Sequence, residues 1–119
     1  MDENLKLQLT EAGVDVDSVM ERFMGNAGML ERFLKKFLND MSYQKLLTSI
    51  EEKNVEDAFA AAHTLKGVCG NLSINTLRDI VSKQTECFRA GNLEEGAAFM
   101  PEVTAEYERV TEAIRSCYP

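Results

Sequence analysis

The chain holds one histidine, two prolines, seven glycines and three cysteines among its 119 residues. So few prolines and glycines leave little room for linkers or low-complexity tracts, and no internal repeat is visible. No apolar run approaches the ~20 residues of a membrane span. The opening Met1-Asp2-Glu3-Asn4 carries acids where a secretory signal needs bases. Cys69, Cys87 and Cys117 are odd in number and widely spaced. They do not read as a disulfide framework, which points to free thiols in a reducing cytoplasm. Basic residues are also scarce: 13 Lys and Arg stand against 20 Asp and Glu, a net charge of −7. That balance argues against a general nucleic-acid binder, because neutralising phosphates takes surplus cations. It argues equally against docking on anionic lipid. Strand-like alternation is missing throughout.

What is present is an ordinary globular balance, 45% hydrophobic and 28% charged. The length suits a single domain spanning residues 1–119, able to bury roughly two-thirds of the surface of its unfolded chain. Apolar spacing is helical nearly everywhere. Leu5 to Leu9 reads as a short helix, and Gly13, Asp15 and Asp17 mark a break and a new start. Val16, Val19, Met20, Phe23 and Met24 form a short stripe, and Gly25-Asn26-Ala27-Gly28 a turn. Met29, Leu30, Phe33, Leu34, Phe37 and Leu38 follow at three-four spacing, the mark of a core-facing helix. Met20, Phe23, Met29, Phe33 and Phe37 are accordingly expected in the core.

Asn39 and Asp40 bend this segment, and the stripe resumes with Tyr43, Leu46, Leu47 and Ile50. Asn54 is placed to cap the next helix, with Glu56 and Asp57 in the first turn, where the helix dipole favours acids. Ser73 is placed to cap the helix after that, and Gly91 to stop it. Leu93 to Met100 reads as helical, and Pro101 either kinks the last helix or sits in its first turn. Four long amphipathic segments with short connections predict an all-α fold. It is an antiparallel up-down four-helix bundle, preceded by one or two short N-terminal helices.

His63 is the one residue around which chemistry gathers. At about 100° per residue, Ala61, Leu65, Val68, Cys69 and Leu72 fall on the opposite side of its helix. Phe59, Ala60, Lys66, Gly67 and Gly70 fall on its own side. The imidazole therefore points away from the core. Each glycine costs about 1 kcal/mol against alanine in a helix interior. A helix core does not ask for glycine on an outer face, whereas close approach of another molecule does. Lys66, one turn on, sets a positive charge beside any anion delivered to the ring. The alternative is that Gly67 or Gly70 ends the helix as a C-cap, although the apolar spacing runs on through Leu72.

Other chemistries find less support. A lone histidine on a soluble helix is most often an uninvolved surface residue. A metal centre needs three or four ligands, and no His/Cys cluster exists. Histidine-assisted nucleophilic catalysis needs a Ser or Cys within reach, yet Cys69 points coreward and Thr64 is marginally placed. The glycine pair follows no strand and lacks the rest of a phosphate-loop motif.

His63-Thr64-Leu65-Lys66-Gly67 resembles the H-x-x-K-G signature of histidine-containing phosphotransfer (HPt) domains. Ala62 before it and Asn71-Leu72 after it also fit, as do Gly13-Val14-Asp15-Val16-Asp17, Arg22-Phe23-Met24-Gly25-Asn26, Phe37-Leu38-Asn39-Asp40 and Ala90-Gly91-Asn92. The likeness covers nearly the whole chain and is closest to stand-alone members. It departs at Val68 and Ser73, where small residues and a second glycine are common, and at Gln84-Thr85, where an L-E pair is common.

The resemblance implies that His63 takes a phosphoryl group from an aspartyl phosphate on a response-regulator receiver domain and passes it to another. Lys66 would then lie beside the phosphoryl group. Gly67, together with Phe59, Ala60 and Gly70, would leave room for the receiver. Partners would be receiver domains or a hybrid sensor kinase. The protein itself would need no cofactor, with Mg²⁺ supplied by the receiver. It would be a phosphocarrier and not an enzyme. An exposed imidazole, whose ordinary pKa is ~6.5, is largely neutral and nucleophilic at about pH 7. Polar outer faces favour a monomer. The competing expectation is a helical interaction module that binds a partner without chemistry.

Overall fold

A computed structural model describes residues 1–119 as a rod of 43 × 23 × 20 Å built only from helices. Two short helices come first, α1 (Glu3–Glu11) and α2 (Val16–Arg22). They are followed by α3 (Ala27–Phe37), α4 (Ser42–Glu51), α5 (Val55–Asn71) and α6 (Asn75–Arg89). The short α7 (Leu93–Ala97) leads into α8 (Met100–Cys117). The bundle is made by α3 with α4, then α5, α6 and α8. Within it α5 lies between α4 and α6, α8 packs on α6 and α3, and α1 lies along α8. No helix is long and apolar enough to cross a membrane.

The bend expected at Asn39-Asp40 is a full break. The helix ends at Phe37, and the Asp40 carboxylate accepts the N–H of Ser42, the first residue of α4, at 2.9 Å. Aromatic packing then ties both pieces to α8. Tyr43 stacks on Tyr107 at 3.9 Å with the planes 6° apart, Phe37 meets the same Tyr107 at 5.9 Å, and the Tyr43 hydroxyl pairs with that of Thr104. Asn54 caps α5 as its sequence position suggests, accepting the Asp57 N–H at 2.9 Å. Gly91, at φ +80°, ends α6. Pro101 occupies the first turn of α8 and kinks nothing. The helical stretch expected over 93–100 is shorter, because α7 closes at Ala97 and Met100 already belongs to α8.

Ser73 does not cap the helix that follows it. It stands at φ +54°, just past the C-cap of α5. The Ser73 N–H bonds to the Gly70 carbonyl and the Ile74 N–H to the Cys69 carbonyl, the paired reach-back that closes a helix with a left-handed residue. Here the tertiary structure outweighs the intrinsic preference for glycine. The Ser73 hydroxyl is held by Arg22 and Ser18. Its carbonyl accepts the Asp15 N–H at 2.9 Å, and the Asn75 N–H bonds to the Gly13 carbonyl at 2.9 Å. The α1–α2 turn is thus stitched to the α5–α6 turn. Gly13 is required there: at φ +94°, a Cβ would meet the Thr76 hydroxyl oxygen at 2.7 Å.

The core is one cluster that includes Leu9, Val19, Leu30, Leu34, Phe37, Leu46, Leu65, Leu77, Val110 and Ile114. Alanines at 58, 61 and 62 are buried, so their small side chains let neighbouring helices come close to α5. The aromatic and methionine assignment needs correction. Phe37 is buried, but Phe33 is 40% exposed and Met20, Phe23 and Met29 are half-buried. The buried stripe of α3 runs Leu30, Leu34, Phe37, which leaves Phe33 at its edge against Phe23, with ring centroids 5.3 Å apart. Met24, which ends the apolar stripe in sequence, lies beyond α2 and is 93% exposed at φ +56°.

Candidate functional site

Helix α5 carries its apolar residues on one side: Ala58, Ala61, Ala62, Leu65 and Cys69 are buried. The opposite crest is where the wheel placed the candidate residues. Ala60, His63 and Gly67 are exposed, and Phe59, Lys66 and Gly70 are half-buried. All lie within the regular span of α5, and neither glycine has a positive φ, so neither is a C-cap. A Cβ at Gly67 would meet nothing within 4 Å, and one at Gly70 only the Arg78 Cδ at an ordinary 3.7 Å. Nothing inside the molecule therefore explains why these positions lack a side chain. The crest around His63 is smooth.

The imidazole of His63 has no hydrogen bond or ion pair within the protein. Its ring stacks on that of Phe59, one turn earlier, with centroids 5.7 Å apart and planes 20° apart. Lys66 is unpaired as well, so its ammonium is available to an incoming anion. The Thr64 hydroxyl donates back to the Ala60 carbonyl at 3.0 Å, a local bond that occupies its proton. Burial, with the nearby charge of Asp40, pushes the Cys69 thiol up to about 12. Neither side chain is therefore an activated nucleophile beside His63. No group of three or more His, Cys, Asp or Glu side chains is arranged to hold a metal ion.

Helix α6 adds residues that the sequence did not single out. It runs antiparallel to α5: Arg78 sits beside Gly70 near the connecting turn, and the Arg89 guanidinium lies over the Phe59 ring, 4.8 Å from its centroid, at the far end. The Arg89 Nε donates to both carboxylate oxygens of Glu86, each at 3.2 Å. The signal that could have found these residues is hairpin register. Across a short turn, residues equally far from it face each other, which pairs Arg78 with Gly70 and Arg89 with Phe59.

Two open grooves flank the other side of the crest. One, of about 540 Å³, runs between α4 and α5 and is lined by Met41, Lys45, Thr48, Ala60 and Thr64 among others. The second, of about 390 Å³, lies under α2 and α3. Phe23, Phe33, Val68 and Leu72 form its floor, and Arg22 and Lys36 stand at its edge. The geometry thus presents an unencumbered imidazole, a free cation one turn away and a flattened surface around both.

No curated protein and no solved structure matches the chain. The family model described as the Hpt domain matches residues 25–113, a span that contains the whole crest of α5 and most of the bundle. On that match the chain belongs to the Hpt domain family, the phosphocarrier modules of histidine phosphotransfer in phosphorelay signalling.

Proposed function

We propose that this protein is a phosphorelay intermediate that carries the phosphoryl group on His63. A neutral imidazole nitrogen attacks the phosphorus of an aspartyl phosphate on a receiver domain, from a response regulator or a hybrid sensor kinase. The N–P bond forms as the P–O bond to the aspartate breaks, and the carboxylate leaves with the electron pair. The other ring nitrogen keeps its proton. A second receiver aspartate then reverses the step and regenerates His63. Such a transfer asks little covalent work of the protein, so position and charge neutralisation dominate.

Lys66 supplies the charge, drawn to the phosphoryl oxygens. Ala60, Gly67 and Gly70, with the edge of Phe59, form the surface on which the receiver rests, and the receiver brings Mg²⁺. The observation that carries this reading is the pairing of an exposed, unbonded imidazole with an unpaired lysine on a helix face whose glycines have no packing role.

The test is transfer from a phosphorylated receiver, read as an acid-labile, base-stable label on this protein. His63→Gln abolishes the label while the circular dichroism and melting of the domain stay as they were, because the side chain is exposed. A His63→Gln protein that still takes up label refutes the assignment. Unchanged partner binding and unchanged biological output in that variant would instead mark an interaction module without phosphotransfer.

A further inference from the structure

The His63 ring has no hydrogen-bond partner, yet it is not left to swing freely. A long or aromatic side chain on a helix chooses between two main χ1 wells, and the ring leans back over the preceding turn. Four residues before His63 stands Phe59, and the two rings are offset and nearly parallel at 5.7 Å and 20°, within the range where aromatic pairs attract. Phe59 is itself restrained on both sides. Its half-buried ring packs against the core cluster, and the Arg89 guanidinium covers it at 4.8 Å. Glu86, one turn back on α6, holds the Arg89 Nε with both oxygens. The result is a continuous chain from Glu86 to Arg89 to Phe59 to His63 that links helix α6 to a ring on helix α5.

We propose that Phe59 and Arg89 are positioning residues for His63: Arg89 clamps Phe59, and Phe59 holds the imidazole by its face in one rotamer. This rests on the phosphotransfer reading for its consequence, though not for its geometry. A ring held by its face keeps its in-plane lone pair at the open edge, the direction an in-line attack on phosphorus requires. Without the clamp the ring samples both χ1 wells, and only part of the population is aligned at any moment. Stacking and cation–π contacts at an exposed site shift such a population by a factor of about 2–10. The rate of phosphorylation should fall with the aligned fraction, by up to about 2-fold where the two wells are otherwise equal. On loss of Arg89, affinity for the receiver stays near its original value, because the lost quantity is alignment and not contact area.

Two measurements test this, and one of them needs no phosphotransfer. Scalar couplings across χ1 of His63 in the unphosphorylated protein should report one dominant rotamer. Phe59→Leu should bring them to averaged values, Arg89→Ala should move them part of the way, and Phe59→Tyr should retain the single rotamer. Labelling by phosphoramidate, a small donor that needs no docking surface, should slow by up to about 2-fold in Phe59→Leu, by less in Arg89→Ala, and recover partly in Arg89→Lys. With a phosphorylated receiver, Arg89→Ala should lower the maximal rate and leave KM nearly unchanged. Couplings that do not change in Phe59→Leu overturn the proposal, as does a loss in Arg89→Ala that is confined to KM. A wild-type protein that shows the single rotamer yet takes no label from any receiver would sink the phosphotransfer reading and leave the clamp standing.

Discussion

The guanidinium of Arg22, at the end of α2, lies 2.7 Å from the carbonyl oxygen of Asn71, at the end of α5. The same nitrogen also donates to the Gly70 carbonyl at 3.1 Å and to the Ser73 hydroxyl at 3.2 Å. These carbonyls are among those an α-helix leaves without internal partners at its C-terminus, where its dipole also favours a cation. One side chain, distant in sequence, therefore finishes the helix that carries His63.

Arg22→Ala should lower stability by about 1–2 kcal/mol. That is the range for a charge-assisted hydrogen bond discounted for its exposure, together with the loss of a cation at a helix end. Urea denaturation measures it: the midpoint should fall with the slope unchanged. A midpoint equal to that of the wild type would show that water replaces the guanidinium at no cost.

Gly67 and Gly96 should respond oppositely to a new methyl group. A Cβ at Gly67 meets nothing within 4 Å, whereas one at Gly96 would stand 2.2 Å from Cε1 of Phe88. Gly67→Ala should therefore stabilise the fold by about 1 kcal/mol through helix propensity. Gly96→Ala should destabilise it by about 1–3 kcal/mol through overpacking. A bulky replacement, Gly67→Gln, should leave the helix at least as stable and slow phosphotransfer from a receiver. Equal or faster transfer in that variant would contradict the role of Gly67 as room for a docking partner.

Lys53 and Ser73 both sit in left-handed backbone, at φ +57° and +54°. Lys53 is exposed and makes no ion pair, while Ser73 is buried and bonded to Arg22 and Ser18. The left-handed conformation costs a non-glycine residue about 1–2 kcal/mol, partly offset by the extra chain entropy that glycine loses on folding. Lys53→Gly should thus raise stability by about 0.5–1 kcal/mol. Ser73→Gly should bring no gain, because the same relief is set against lost hydrogen bonds. Chemical denaturation of the pair separates backbone strain from side-chain bonding.

Alkaline pH should loosen the fold. Burial, with Asp40 and despite Arg78, raises the Cys69 thiol from 9.0 to about 12. Burial also raises Tyr118 from 10.0 to about 12, and raises Tyr107 and Cys117. Each of these groups is neutral when protonated, so the folded state keeps protons that the unfolded chain releases. Their contribution is fully present below about pH 9 and is lost as pH rises toward 12. Urea midpoints at about pH 8, 9.5 and 11 should fall in that order, with a shallower decline in Cys69→Ala. A midpoint that stays constant over this range would contradict the burial of these groups.

Much of the molecule was readable from local rules. Three-four spacing marked every long helix, Asn54 named its own cap, Gly91 its own stop, and the angular sorting of residues 58 to 72 placed His63 outward. These features depend on neighbours within a turn or two, where helix geometry allows one arrangement. Three features resisted: Ser73 closing α5 in place of opening α6, Phe33 standing out of the core, and Arg89 reaching Phe59. Each depends on a segment many residues away. A left-handed serine is tolerated because Arg22 and the Gly13 turn hold it. An aromatic stripe is buried only as far as the opposing helices extend, and Leu30, Leu34 and Phe37 already fill that width. Arg89 meets Phe59 only because the α5–α6 turn sets an antiparallel register. Periodicity reports which side of a helix is apolar. What stands across from that side is settled by packing, since the same apolar stripe can be covered by any partner of matching shape.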